Sequence, residues 1–508
     1  MIAFDREVTF TENQRNTRQL PALDLVVKLC SALAVEEIDY CHWKSTTAIE
    51  RSANGDNDLD LLVNRAHVQR FMEILDHLGF KSATLASKDK LPGVLDYYGF
   101  DCPSGRLIHV HAHFQLILGS DLSKNYRLPL EQAYLASATE RAMFRIPAPE
   151  FELVIFVIRM VLKHSTWDSL LMRHGSLSLS EHGELDDLAT PMNLERVSAI
   201  LEKHIPYLDR ALFDACLRTL QPNCALGARI LTGERLQKAL SPCARYPQPV
   251  DIVRKFAHRV EQSIQARIFR RNSRHYMANG GLLIAIVGGD GAGKSTVIDE
   301  LYTWLAKKIN VVKLHMGKPN WSWMTIAVRG TLKIGTLLGL YPFERISEQD
   351  IYTVGTNSNQ FLGYPSLIRM VCTARDRYLT YLKARRFSSN GGLVLCDRYS
   401  LPGFMIMDGP QCSRVTKSVK CNWVINLLVK LETSYYRRIV LPDLLIVLKI
   451  NPEIAVQRKV DESETSVRAR SQEVWELEWE GLPAHIIEAD KSQAEVLAEI
   501  KSLVWSYL

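Results

Sequence analysis

The chain has 508 residues, 47% hydrophobic and 23% charged: too long for one ordinary core, and too apolar to be disordered, collagenous or of low complexity. Its ten cysteines are scattered without a CxxC pair, which argues against a disulfide scaffold or a zinc ribbon and points to a reducing compartment. The net charge of +6 is modest and argues against a nucleic-acid partner, which calls for a broad basic footprint.

At the start, MIAFDREVTF places acids where a signal peptide needs a basic stretch and an apolar run. No segment approaches the roughly 18 apolar residues of a membrane span; the best, Glu152–Leu162, is interrupted by Arg159. The expectation is a soluble, cytoplasmic protein, and the sequence leaves its oligomeric state open.

Helical and strand-like patterns then alternate: a helix over Leu23–Leu33, a strand over Ile38–Trp43, a loop over Ser45–Asn57 and a strand over Asp58–Val63. A helix over Ala66–Leu78 and an alternating strand over Leu107–Leu116 follow, giving an α+β domain over residues 1–125. Asp58 and Asp60 are two apart and share a strand face. Paired carboxylates of this kind can hold the Mg²⁺ ions of nucleotidyl transfer. With Lys44-Ser45 upstream, the region 36–116 resembles the nucleotidyltransferase superfamily, whose pattern is a Gly/Ser pair, an Asp-h-Asp strand and a third acid on a later strand. Here His109 stands where the third acid is expected, and imidazole is a poor Mg²⁺ ligand. His109, His111 and His113 share one strand face. Three imidazoles have the chemistry of a transition-metal site, but packed or solvated histidines are the reading adopted.

Residues 126–275 show helical periodicity, as in Glu152–Lys163, Asn193–His204 and Ala211–Leu220, and carry no recognisable motif. The expectation is a helical spacer. Between Arg254 and His275 seven Arg/Lys face one acid, Glu261. Val253, Phe256, Val260, Ile264 and Ile268 fall at helical spacing, so a connecting helix with a basic outer face is expected. Asn272–Gly281 reads as a linker turn.

From Leu282 the pattern becomes that of a doubly wound α/β sheet over residues 281–508. The strand Leu282–Val287 precedes Gly288-Gly289-Asp290-Gly291-Ala292-Gly293-Lys294-Ser295-Thr296, a complete G-x-x-x-x-G-K-[ST], and a helix follows over Thr296–Lys307. Such glycines let successive N–H groups turn inward around phosphate oxygens, at a helix N-terminus that adds partial positive charge. Lys294 is suited to the β/γ-phosphates and Ser295 to a Mg²⁺ shell. The strand Gly391–Cys396 ends in Asp397-Arg398-Tyr399, which would emerge beside the phosphates, Asp397 toward Mg²⁺ and Arg398 toward an oxygen pair. A strand within Pro442–Pro452 leads to a helix through Arg458. Val460–Ser471, with Arg468 and Arg470, reads as a flap that closes over a transferring phosphoryl group. His485–Ala489 and Gln493–Leu503 form the last strand and helix.

Four motifs, GGDGAGKST (288–296), TARDRYLTYLKARRFSSNGGLVLCDRYS (373–400), LPDLLIVLKINPEIAVQRK (441–459) and HIIEADKSQAEVLAEI (485–500), resemble thymidylate kinase, of the P-loop nucleoside-monophosphate kinase family. The resemblance implies an ATP-dependent kinase of nucleotide biosynthesis, transferring a phosphoryl group from MgATP to a nucleoside monophosphate. It further implies that Asp290 touches the acceptor sugar hydroxyl, that Arg398, with Tyr399 beside it, binds the acceptor phosphate, and that Arg377 approaches the base. The departures fall at the acceptor. Thr373 replaces the stacking aromatic residue, His315-Met316-Gly317-Lys318-Pro319 replaces an Arg-Glu-Pro-Gly-Gly segment, residues 401–408 differ, and 409–440 is longer than a minimal kinase needs. The leading expectation is phosphoryl transfer to a dTMP-like or related small phosphorylated acceptor. The alternatives are a bifunctional nucleotidyltransferase/kinase and an ATP-gated interaction protein without a small acceptor.

Overall fold

The computed structural model describes residues 22–44, 49–85, 91–120, 123–166, 177–190, 193–267, 274–339, 363–401, 408–416, 422–459, 463–479 and 481–508. They are mixed α/β and divide into two compact units, one within residues 1–273 and one formed by residues 274–508 with the short stretch 84–86. Ser45, Asn272, the stretch 402–407 and the start of the expected flap, 460–462, lie outside the described residues.

In the first unit, β1 (Tyr40–His42), β2 (Leu59–Val63), β3 (Lys81–Thr84), β4 (Val94–Asp101) and β5 (Arg106–His113) lie in the order β1-β2-β5-β4-β3. Only β2 and β5 run parallel among these neighbours. Strand alternation divides the side chains cleanly. Leu59, Leu61, Val63, Ile108, Val110 and Ala112 enter a core with the helices Asp24–Val35 and Val68–His77. Asp60, His109, His111 and His113 occupy the opposite face, between those apolar positions in sequence. The β4 strand is absent from the sequence reading because Val94–Asp101 mixes apolar, acidic and glycine residues.

Two short hairpins follow, β6 (Leu116–Leu118) with β7 (Tyr126–Leu128), and β8 (Thr139–Arg141) with β9 (Phe144–Ile146). Their three-residue strands are too short to show a period, so β7, β8 and β9 stand within residues 126–275, where the sequence reading expects helices. The helix Pro149–His164 is buried on nearly every side, as an apolar helix inside a bundle must be. Arg159, which interrupts its apolar run, pairs with Glu184 at 3.3 Å. The helices Leu179–Ala189, Leu194–His204, Arg210–Thr219 and Leu226–Ala239 surround it, and the shared core includes Cys41, Trp43 and Leu62.

The helix Gln248–Arg267 keeps Arg254 on its outer face as expected, but its apolar positions lie outside too. Its apolar stripe faces out, with Val253 67% and Phe256 65% exposed, while Asp251 and Lys255 are buried. The cause is a polar contact network: Lys255 pairs with Asp251 at 2.9 Å, and the Ser123 hydroxyl donates to Asp251 at 2.5 Å.

The second unit begins with β10 (Tyr276–Met277), followed by a parallel five-stranded sheet. Its strands are β11 (Leu283–Gly288), β12 (Val311–His315), β13 (Leu393–Asp397), β14 (Leu444–Lys449) and β15 (Ala484–Glu488), in the order β12-β13-β11-β14-β15. β11 is wholly buried at the centre, and the chain passes from one side of it to the other between β13 and β14. A doubly wound sheet opens its ligand crevice at the carboxyl ends beside such a reversal. From Glu464 the expected flap belongs to the helix Glu464–Glu476, whose Val467 and Val474 are buried. Among the described residues no helix is long and apolar enough to cross a membrane.

Two helical glycines test this packing. A Cβ on Gly233 would lie 2.1 Å from the Ser165 carbonyl oxygen, whereas one on Gly183 would meet nothing within 4 Å. Gly233→Ala is expected to cost about 1–3 kcal/mol through overpacking. Gly183→Ala should gain about 0.5–1 kcal/mol from helix propensity. Urea unfolding of the two variants beside the parent checks both signs.

Candidate functional site

The loop 288–293 leaves the carboxyl end of β11 and enters the helix Lys294–Leu305. Gly291 and Gly293 hold φ values of +78° and +80°, left-handed positions that glycine enters without a Cβ penalty. Ala292 is buried beneath them, and the Ser295 side chain is exposed at the helix start, next to Thr296. Lys294 is 8% exposed and folds back so that its ammonium donates to the Gly289 carbonyl at 2.7 Å. Burial pushes its pKa down to about 8, against the attraction of Asp290 and Asp397. A glycine-rich loop at a helix N-terminus, beside a buried ammonium, is suited to receive an anion.

Asp290 is buried and faces two arginines: Arg470 Nε lies 2.7 Å from one carboxylate oxygen and Arg398 Nη2 lies 3.7 Å from the other. The Ser471 hydroxyl also donates to the Asp290 carbonyl at 3.4 Å. The helix 464–476 therefore sits on the loop through Arg470 and Ser471. Arg468 pairs instead with Glu453 and Glu464 on the exposed side, and Arg458 donates to the Ala489 carbonyl at 3.1 Å. Of the two flap arginines, Arg470 is the one whose described contacts reach the loop.

The sheet delivers Asp397 into the same crevice, because β13 pairs with β11 at Ile286 and with β12 at His315. Its neighbour Arg398 adopts φ +64°, a left-handed angle uncommon for a residue with a side chain. Strain of this kind, roughly 1–3 kcal/mol, gathers at functional sites. His315 Nε2 lies 4.0 Å from Asp397, and its Nδ1 accepts from the Lys318 amide at 3.3 Å. Burial lowers the His315 pKa, opposed by Asp397. The Ser295 hydroxyl and the Asp397 carboxylate are hard oxygen donors, the type Mg²⁺ takes; that ion would supply charge neutralisation of a polyphosphate.

Two expected acceptor residues are placed otherwise. Arg377, in the helix Gly363–Ser389, is buried and bonds four groups of its own unit. It donates to the Met316 and Gly317 carbonyls at 3.0 Å each, to Asp408 at 2.8 Å and to the Tyr436 hydroxyl at 2.6 Å. It pins the loop after β12 rather than pointing at an open space. The Tyr399 ring is buried and its hydroxyl donates to the Val440 carbonyl at 2.6 Å. Asp408, which sequence reasoning did not single out, is one of Arg377's anchors. Thr373 accepts from Arg329 at 3.5 Å.

In the first unit, Asp60 forms the hub of a second polar cluster. Its Oδ1 lies 2.6 Å from Lys44 Nζ and 3.0 Å from His111 Nδ1. Burial opposes its ionisation, but Lys44, His111 and His113 hold the carboxyl well below the usual range. His109, expected in place of a third acid, lies between Asp58 at 3.1 Å and Asp96 at 2.9 Å. Burial favours neutral His109, yet the two carboxylates win and raise its pKa. Asp96, on β4, is the acid that sequence reasoning missed. Its signal was an acid two residues before Tyr98 in a strand that the pattern did not reveal.

No family model matches the chain. It is 28% identical over 217 residues to the uncharacterized ATP-binding protein YghS of Escherichia coli strain K12, covering 41% of this chain and 85% of that protein. It is 24% identical over 227 residues to the uncharacterized ATP-binding protein YghR of the same strain, covering 44% and 86%. A solved deoxyadenosine kinase from M. mycoides with bound dATP matches 44% of this chain at 14% identity, with a TM-score of 0.27.

The buried ammonium gives a test that needs no substrate. With a folded pKa near 8 and an ordinary value of 10.5, the charged form is disfavoured by folding, so the cost is full below pH 8 and disappears as pH rises toward 10.5. Lys294→Met should stabilise the nucleotide-free protein at pH 7 by about 2 kcal/mol. The gap should close with rising pH in paired chemical denaturations.

Proposed function

We propose that the second unit binds MgATP in the loop 288–296 and transfers its terminal phosphoryl group to a small phosphorylated acceptor, a nucleoside monophosphate or a related sugar phosphate. The observation that carries this reading is the convergence on one loop of the buried Lys294, the Asp290–Arg470 and Asp290–Arg398 pairs, and Asp397 at the end of the adjoining strand. Phosphoryl transfer asks a protein mainly for positioning and charge stabilisation, and this is a set of groups for both. The printed names of the two bacterial relatives, ATP-binding proteins, support the nucleotide.

On this reading Lys294 and the loop amides hold the β- and γ-phosphates, while Ser295 and Asp397 hold Mg²⁺. Arg398, only partly buried, binds the acceptor phosphate. Arg470 changes partner from Asp290 to the transferring group. Arg377 keeps the crevice wall in place, so the acceptor base is recognised elsewhere, in keeping with the altered residues 315–319 and 373. A nucleotidyl-transfer step in the first unit is the weaker companion, because Asp58 and Asp60 are already engaged by His109, His111 and Lys44.

Release of ADP by the purified protein with MgATP, measured against nucleoside monophosphates and sugar phosphates, tests the proposal. Acceptor-dependent release is expected, falling at least a hundredfold in Lys294→Ala and persisting in the Asp58→Asn/Asp60→Asn pair. ATP binding without turnover on any acceptor would favour a nucleotide-gated interaction protein instead. Two arginines should behave differently in the same assay. Arg398→Ala should raise the acceptor KM with little change in unfolding midpoint. Arg377→Ala should cost about 3–5 kcal/mol of stability, because it strands the buried Asp408 carboxylate.

A further inference from the structure

We infer that the first unit carries a divalent transition-metal site, with Asp60 Oδ1, His111 Nδ1 and His113 Nε2 as ligands. This is independent of the phosphoryl-transfer reading, which concerns the other unit.

Sheet register builds the site. β2 and β5 run parallel with Asp60 opposite His111, and His113 follows His111 on the same face of β5. The three atoms stand 3.0 Å (Asp60–His111), 3.2 Å (His111–His113) and 3.8 Å (His113–Asp60) apart. Their mean is about 3.3 Å. Donors bonded to one tetrahedral ion at ~2.0–2.1 Å stand ~3.3–3.4 Å apart, so the triangle already has the size of one face of such a site. Two imidazoles and one carboxylate form a donor set that suits zinc-type ions and not Mg²⁺. Three protein ligands leave the fourth position open, the pattern of sites that bind water or substrate.

His111 Nδ1 has two close neighbours, the Asp60 oxygen and His113 Nε2, and can hold one hydrogen. If it donates to Asp60, His113 Nε2 receives only a share of that hydrogen. If it accepts from His113, its lone pair faces a carboxylate oxygen at 3.0 Å. The His113 ring is held in place edge-on to Trp43 at 4.8 Å between centroids. A cation at the common point lets all three atoms direct lone pairs at it.

The surroundings support the assignment. Asp96 sits opposite His111 on the other flank, in register with it across β4 and β5, and lies 3.8 Å from His111 Nε2. At that distance the carboxylate acts on His111 by charge rather than by a hydrogen bond, favouring a proton on the distal nitrogen and a lone pair on the metal-facing one. Lys44 is the competing charge: its ammonium touches the same Asp60 oxygen, and it must move aside or share that carboxylate when the ion binds.

The test is titration of the chelator-stripped full chain with Co²⁺, without nucleotide, followed by its visible absorption and by equilibrium dialysis, then displacement by Zn²⁺. One equivalent is expected, bound at micromolar or tighter Kd, with bands of low-coordinate Co²⁺. His111→Ala, at a partly exposed position, and His113→Gln should each weaken binding at least a hundredfold while keeping a cooperative thermal transition. Asp58→Asn should stay within about threefold, and Lys44→Met should bind several-fold more tightly. Three results would overturn the assignment: no stoichiometric Co²⁺ binding by the parent chain, binding that survives His111→Ala together with His113→Gln, or displacement by millimolar Mg²⁺ as readily as by Zn²⁺.

Discussion

The second unit is organised around one unfavourable fact, a lysine ammonium held out of water with a carbonyl as its hydrogen-bond acceptor. Removing a charge from water is tolerated only when nearby groups replace the lost solvation. Here the replacements are the Gly289 carbonyl and the field of Asp290 and Asp397. Most features of the crevice follow from supplying them: glycines that let the backbone wrap close, a central strand that brings the loop to the sheet edge, and an adjoining strand that ends in an acid. The site is balanced toward an anion, and the balance is set by burial as much as by the lysine itself.

The first unit solves a related problem with different chemistry. Its sheet buries one face against helices and leaves the other carrying carboxylates and imidazoles on three adjacent strands. Alternation along β5 places every histidine of His109, His111 and His113 on that face, so their clustering follows from strand geometry alone. What alternation does not determine is which neighbour each ring meets. His109 is captured by two acids, while His111 and His113 turn toward Asp60.

Much of this was legible in the sequence, and the gaps have physical causes. The loop 288–296 and its flanking strand and helix were readable because phosphate cradles demand specific residues at fixed spacing. The strands around Val394 and Ile446 were readable because central parallel strands are continuously apolar. The stretch 460–471 was read as a flap because the charged surface of the helix 464–476 hides its buried positions, among them Arg470 and Ser471, which hold it to the loop. The exposure of the apolar stripe of the helix 248–267 was missed because periodicity reports where apolar residues lie, not which stripe finds a partner. There the partner is polar, through Asp251 and Lys255. Arg377 was assigned to the acceptor base, and its four bonds within the unit were not legible because their partners are distant in sequence.

The Asp290–Arg470 pair has a consequence for discrimination. The arginine that faces the loop is already occupied by a carboxylate held in place by the fold. A newcomer must exceed that internal carboxylate, not merely be negative. Halide ions, single carboxylates and other weakly charged solutes gain too little from the exchange to dislodge it, whereas a multiply charged phosphate chain can engage arginine, lysine and amides at once. The internal ion pair thus acts as a threshold on ligand valence, screening the common anions of any cell before shape is consulted.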